Sequence, residues 1–279
     1  MRAELEQIDI ESTNQSIQFF TIETQAFAPY WHYHPEIELT FILEGEGTRI
    51  VGNSIETFTS NDLVLVGKNI PHHWISLNQE VSNLQKAYVF QFSANIFSSF
   101  KECEHFGALF KIAQRGIQFK EPTPKIIQLI TTFATLNKVQ QLVALIDLLH
   151  QLTQHEPIKV LASKDYKFLQ HQKHDMDKFA KVNNYILEHL DQKLTVQQLA
   201  DVTNMVPQSF CRWFRQHSGY SFITFLNTTR IENACQLLLH KTESIQRIAF
   251  SSGFESLSHF NRTFKKYKQQ SPREFMNSK

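Results

Sequence analysis

The sequence predicts an α+β chain of two domains, a small β-barrel with trailing helices followed by an all-α domain with two helix-turn-helix units joined by a linker helix. Three observations carry that expectation. A chain of 279 residues is long enough for two cores. Apolar residues recur with period two up to about residue 92 and with a helical period after it. The last hundred residues contain an internal duplication.

Taken in order, residues 15–92 read as strands. Ile37, Leu39, Phe41 and Leu43 alternate with Glu36, Glu38, Thr40 and Ile42, the pattern of a half-buried strand. Gly45, Gly47 and Gly52 punctuate the next stretch, and LVLV at 63–66 and AYVFQF at 87–92 supply further strands. Short strands at this spacing suggest a small barrel or jelly roll. Residues 95–154 read as helices. Ile126, Ile130, Phe133 and Leu136, then Val139, Leu142, Val143, Ile146, Leu149 and Leu152, mark one apolar face with a break near Asn137. That face needs covering, either by the barrel or by a second copy of the chain.

Periodicity fades after residue 155, which places a first domain at 1–160, a linker at 161–175 and a second domain at 176–279. The second domain reads as about seven helical segments, with stops or starts at Asn204, Ser218/Gly219, Ser252/Gly253 and Pro272.

Composition narrows the function classes. Apolar residues make up 42% and charged residues 20%, and no stretch approaches the roughly 18 uninterrupted apolar residues of a membrane helix. MRAELEQIDI at the start lacks the apolar core of a secretory signal. Cys103, Cys211 and Cys235 form no CxxC pair, so neither a disulfide framework nor a zinc ribbon is expected, and a reducing cytoplasm fits. The net charge of +1 hides an asymmetry: residues 174–279 hold 14 Lys/Arg against 9 Asp/Glu, and residues 1–173 hold 14 against 18. The basic half is the candidate nucleic-acid half.

The duplication sharpens that assignment. LTVQQLADVTNM at 194–205 answers ESIQRIAFSSGF at 243–254 at an offset of 49, and SFCRWFR at 209–215 answers HFNRTFK at 259–265 at an offset of 50. Each copy has a small residue, Ala200 or Ala249, where a second helix must cross closely over the first. Each then has an aromatic pair at i and i+4, Phe210/Phe214 or Phe260/Phe264, for one buried face, and an arginine, Arg212 or Arg262, for the free one. The helix between them, about 221–239, is long enough to set the two units about one DNA turn apart, near 34 Å.

With its tail SSGFESLSHFNRTFKKYKQQSPREF at 251–275, the region 176–276 resembles the DNA-binding domain of AraC/XylS-family transcription regulators. The resemblance implies DNA-facing roles for Gln208, Ser209, Cys211 and Arg212 on the first recognition helix and for Ser258, His259, Asn261 and Arg262 on the second. Arg and Gln suit bidentate pairing with guanine and adenine, while Arg215, Ser256 and Lys265 suit phosphate. Two positions depart from the family pattern: Pro207 opens the first recognition helix, and Gln269 stands where the family usually has glycine.

WHYHPEIELTFILEGEGTRIVG at 31–52 and NDLVLVGKNIPHHW at 61–74 resemble the two motifs of a cupin barrel, the sensory domain of many such regulators. His32, His34 and Glu38 keep the first motif's spacing, and His72 falls at the fourth ligand position. In the second motif Asn61, Gly67 and Asn69 replace Gly, Pro and Gly. The resemblance leaves two readings open. The four side chains suit Zn, Mn, Fe or Ni; alternatively they hydrogen-bond a small organic effector in a pocket with Trp31, Tyr33, Phe41 and Trp74. It further implies double-stranded DNA and RNA polymerase as partners, an activator or repressor role, a homodimer and no membrane. The competing class is a metal-dependent cupin enzyme with a helical appendage.

Overall fold

The computed structural model describes residues 16–28, 30–76, 84–166, 173–240 and 243–277, and these form nine strands, ten α-helices and three short 3-10 helices. The first seven strands are β1 (Ile17–Thr24), β2 (Ile37–Glu44), β3 (Gly47–Val51), β4 (Ser54–Phe58), β5 (Asp62–Val66), β6 (His72–Ile75) and β7 (Gln85–Phe92). Then come α1 (Phe106–Ala113), β8 (Ile117–Phe119), α2 (Pro124–Thr131), α3 (Lys138–Thr153) and β9 (Ile158–Val160). The strands form a six-stranded sheet ordered β1-β7-β2-β5-β8-β9 and a three-stranded sheet ordered β4-β3-β6. Every pairing between them is antiparallel.

Strand alternation sorts the side chains into two cores. Leu39, Phe41, Leu63, Leu65, Phe90 and Phe92 leave the six-stranded sheet on its outer face and pack under α1–α3 through Phe106, Ile126, Ile130, Phe133, Leu145 and Leu149. Ile42, Val51, Phe58, Val64, Val66 and Trp74 point between the sheets. The expected half-buried strand 37–44 is therefore buried on both faces, one under the helices and one inside the barrel. The predicted break near Asn137 is a capping box: the Asn137 side chain accepts from the Val139 and Gln140 N–H groups, and the Gln140 side chain accepts from the Asn137 N–H.

Two expectations are corrected. The stretch 95–154 is not purely helical, because β8 returns to the sheet beside β5, and β9 follows it beside β8; three-residue strands are too short to show a period. The linker expected at 161–175 is in part ordered structure. Leu161 and Ala162 are buried, Arg115 donates to the Ala162 carbonyl, and Asn53 accepts from the Ser163 N–H at 2.9 Å, so residues 161–166 belong to the barrel. Residues 167–172 of that expected linker lie outside the described residues.

Seven helices follow, as the periodicity predicts: α4 (Lys173–Glu188), α5 (Val196–Val202), α6 (Pro207–Ser218), α7 (Phe222–His240), α8 (Ile245–Ser251), α9 (Leu257–Lys268) and α10 (Pro272–Asn277). They build two further cores, one holding α4–α6 and the first turns of α7, the other the rest of α7 with α8–α10. No helix among the described residues is long and apolar enough to cross a membrane.

Candidate nucleic-acid interface and histidine cluster

The duplicated sequence folds into duplicated geometry. Asn204 and Gly253 both have positive φ, 53° and 84°, at the turn between the paired helices. In each copy the next residue donates back to the small residue of the first helix, Met205 N–H to Ala200 O at 2.9 Å and Phe254 N–H to Ala249 O at 3.0 Å. Gly253 has no substitute here, since an added Cβ would lie 2.2 Å from the Leu190 carbonyl.

Each second helix buries one face and frees the other. On α6, Phe210, Trp213 and Phe214 are buried while Gln208, Ser209, Cys211, Arg212 and Arg215 are exposed. On α9, Phe260, Thr263 and Phe264 are buried while Ser258, Asn261, Arg262 and Lys265 are exposed. His259 is half-buried, its ring 5.5 Å from that of Phe254. Ser256, expected at phosphate, is the N-cap of α9 and accepts from the His259 N–H at 3.2 Å. Pro207 occupies the first turn of α6, where its missing N–H costs nothing.

Both recognition helices end on a left-handed residue whose N–H returns to the preceding turn: Gly219 to Arg215 O at 3.0 Å and Gln269 to Lys265 O at 2.9 Å. Gln269 holds the conformation glycine adopts freely, at a cost of roughly 1 kcal/mol. Gln269→Gly should therefore raise the thermal midpoint only slightly, by the equivalent of no more than about 0.5 kcal/mol, because the entropy glycine adds to the unfolded chain offsets most of the relieved strain. A melt of the two proteins side by side checks this.

In the barrel, the four side chains of the expected ligand set come together. Backbone hydrogen bonds pair His32 with His72 directly, His72 N–H to His32 O at 2.9 Å and His32 N–H to His72 O at 3.3 Å. Asn61 and Asn69, which replace glycines of the second motif, sit at φ 69° and 59°, a region asparagine tolerates, so the altered loop still delivers His72. One ligand atom each from His32, His34, Glu38 and His72 lies within 4.8 Å of all the others, and all four residues are buried. From the Glu38 carboxylate, His34 Nε2 is at 3.1 Å, His72 Nε2 at 3.4 Å and His32 Nε2 at 4.0 Å.

The opposite ring nitrogens face outward. His32 Nδ1 meets the Tyr30 carbonyl at 2.8 Å, His72 Nδ1 the Ile70 carbonyl at 2.7 Å, and His34 Nδ1 the Glu36 carboxylate at 3.5 Å. The first two, both hydrogen bonds, are outer contacts of the kind that fix a metal-binding imidazole with its Nε2 lone pair inward. Burial would push the Glu38 carboxyl up, but His72 and the neighbouring His32 and His34 rings outweigh it and hold Glu38 well below the ordinary carboxylate range. Burial also lowers His72, against the opposing pull of Glu38. An ionised carboxylate beside a neutral imidazole is the protonation state a divalent cation requires. His72 Nε2 has no hydrogen-bond partner, a buried lone pair aimed into the cluster. These residues fit a metal.

Beside the cluster opens a cavity of about 400 Å³. Phe20, Ile22, Phe27 and Val89 form apolar walls, and His32, Glu38, Thr40 and Gln91 a polar end. Of the four aromatics expected there, only Trp74 lines it, with its indole N–H donated to Asp62 at 3.3 Å. Trp31 packs against Phe179 of α4, Tyr33 is half-buried away from the cavity lining, and Phe41 lies under α1–α3. The reason is alternation: extended neighbours point opposite ways, so Trp31 and Tyr33 cannot share a face with His32, nor Phe41 with Glu38. Phe20 and Ile22 were legible by the same rule in IQFFTIET, and Gln91, a polar residue buried in an apolar strand, pairs in register with Glu38. Its side-chain amide donates to the Glu38 carboxylate at 3.0 Å.

Comparison with known proteins agrees with both parts. Residues 199–278 match the family model described as a helix-turn-helix domain, and residues 18–83 match that of the cupin domain. An uncharacterized HTH-type transcriptional regulator of Staphylococcus aureus (strain COL) is 35% identical over 99 residues, 36% of this chain and 13% of that protein. The uncharacterized HTH-type transcriptional regulator YobQ of Bacillus subtilis (strain 168) is 31% identical over 94 residues, 34% of this chain and 39% of that protein. The chain thus spans well under half the length of either relative. Among solved structures, the C-terminal domain of AraT, a response regulator from Geobacillus stearothermophilus, is 31% identical, with 37% of this chain and 85% of that one covered at a TM-score of 0.36.

Proposed function

We propose that this chain, with a helix-turn-helix domain behind a cupin domain, is a sequence-specific DNA-binding transcription regulator of the cytoplasm whose barrel binds a small-molecule effector. The observation that carries the reading is the pair of equivalent recognition helices, each with a buried aromatic face and an exposed arginine face. α6 offers Gln208 and Arg212 for base edges and Arg215 for phosphate; α9 offers the smaller Ser258, Asn261 and Arg262, with Lys265 for phosphate. RNA polymerase is the partner such a regulator acts on. A homodimer is supported by α3, whose Leu145, Leu148 and Leu149 hold the barrel while Val139 and Val143 are 74% and 62% exposed. The His32–His34–Glu38–His72 cluster holds a divalent cation at the polar end of the effector cavity, supported by the outward-anchored rings of His32 and His72. This role needs no catalysis.

The test is a gel-shift titration of the full chain on the promoter nearest its own gene, at several salt concentrations. Binding should be sequence-specific and should weaken steeply with salt, because each phosphate neutralised releases counterions. Equal affinity for the promoter and a scrambled duplex would refute the reading.

A further inference from the structure

The barrel is linked to both recognition helices from behind, by separate routes through α4 and α7. On the three-stranded sheet, Arg49, Val51 and Phe58 point inward, while Thr48, Ile50, Ile55 and Thr57 point outward onto the helical domain. This outer face, with Trp31 and the 53–54 turn, is the seat of α4 and α7.

The first route is apolar. Trp31 lies 5.8 Å ring to ring from Phe179, and Phe179 contacts Trp213 at 6.1 Å and Phe214 at 5.6 Å on the buried face of α6. The same helix ends against the barrel, since a Cβ added to Gly219 would meet Asn53 at 3.0 Å. The second route is polar. Glu232 of α7, 4% exposed, accepts from the Thr57 N–H at 2.9 Å and the Thr57 hydroxyl at 2.7 Å. Its carboxylate also accepts from Lys268, the last residue of α9, at 2.6 and 2.8 Å. One carboxylate thus joins barrel, linker helix and second recognition helix. Meanwhile Gln208, Arg212, Asn261 and Arg262 remain exposed, so the docked barrel leaves both reading faces open.

We propose that Trp31 and Thr57 are positioning residues of the DNA-reading unit: the barrel splints the two helix-turn-helix units at a fixed spacing through a Trp31–Phe179–Trp213 tie to the first and a Thr57–Glu232–Lys268 tie to the second. The proposal rests on the DNA-binding reading above. It also gives the cavity a route to each helix. Trp31 is the chain neighbour of His32, and β6 alternates His72 and Trp74, facing the barrel interior, with His73, whose ring meets Trp31 edge-on at 5.3 Å.

In the full chain the first tie can be cut, and the second weakened by loss of the Thr57 hydroxyl bond to Glu232. Trp31→Leu strands no partner, because the indole Nε1 makes no hydrogen bond, and Thr57→Val keeps the shape, the backbone N–H and the Glu232–Lys268 pair. Hydrogen exchange read by mass spectrometry should rise several-fold in 207–218 but not in 257–268 for Trp31→Leu, with the reverse for Thr57→Val. Trp31→Phe should restore the protected pattern. Each cut should also let the protein accept an operator with one base pair inserted between its two half-contacts, which the wild type rejects. A variant that loosens both recognition helices alike, or exchange unchanged in both, overturns the proposal, as does unaltered rejection of the inserted operator. Exchange needs no DNA. A wild type that binds no duplex would therefore refute the DNA-binding reading, while the exchange pattern would still decide whether the two ties exist.

Discussion

Replacing Arg212 and Arg262 together by alanine should cost about 2–6 kcal/mol of operator affinity, a loss of roughly thirtyfold to more than ten-thousandfold. Each arginine sits exposed on its own recognition helix, and each bidentate base contact is worth about 1–3 kcal/mol of discrimination. The two belong to separate units with separate cores, so their effects should add. Neither side chain supports the fold, and the melting curve should shift by the equivalent of no more than about 0.5 kcal/mol. Each single variant should relax specificity at one operator position and leave the others as they were. Lys265→Ala provides the contrast: it should weaken all duplexes alike and reduce the salt slope by about one. Titrations of the four variants and the wild type against wild-type and point-mutated operators check the pattern. Equal loss at every sequence for Arg212→Ala would move that residue from base edge to phosphate.

Much of this was written in the residue pattern because local rules coincide with the global ones. The repeat at offset 49 becomes the Ala200–Met205 and Ala249–Phe254 turns, since a tight crossing demands a small residue and a returning N–H at fixed places. The HxHxxxE spacing places His32 and His34 on one face by parity, and the bend at Pro35–Glu36 then turns the chain so that Glu38 of β2 joins them. His72 needed a long-range bridge to His32, which only the resemblance anticipated. The aromatics expected in the pocket fail on parity: Phe41 is three residues from Glu38, and three is odd. The seat of the helical domain was not legible at all. Thr48, Thr57, Glu232 and Gln236 look like ordinary solvated residues, and only the fold shows that the outer face of β3 and β4 is covered. The same holds for β8 and β9, whose three residues each take their strand identity from the neighbour they pair with.

Glu38→Ala should abolish divalent-metal binding by the barrel, with a loss of affinity larger than the roughly 10–100-fold that removal of an outer contact costs. Glu38 is the one anionic member of the set, and all three Nε2 atoms converge on it. Without it, three neutral imidazoles remain to oppose the charge of the cation. The carboxylate has a second task. It accepts from the Thr40 hydroxyl at 2.7 Å and the Gln91 amide at 3.0 Å, both buried, and alanine leaves these donors stranded at about 1–3 kcal/mol apiece. Glu38→Gln separates the two tasks. It retains a carbonyl acceptor for one of these donors and restores part of the lost stability, yet it removes the charge and should still fail to hold metal. An outer-contact variant completes the series: Glu36→Gln, which only faces His34 Nδ1 at 3.5 Å, should weaken the site without emptying it. Calorimetric titration with Zn²⁺ and elemental analysis of the four proteins give the ranking. Equal uptake by wild type and Glu38→Ala would remove the metal from the barrel and leave the four side chains as hydrogen-bonding groups for the effector alone.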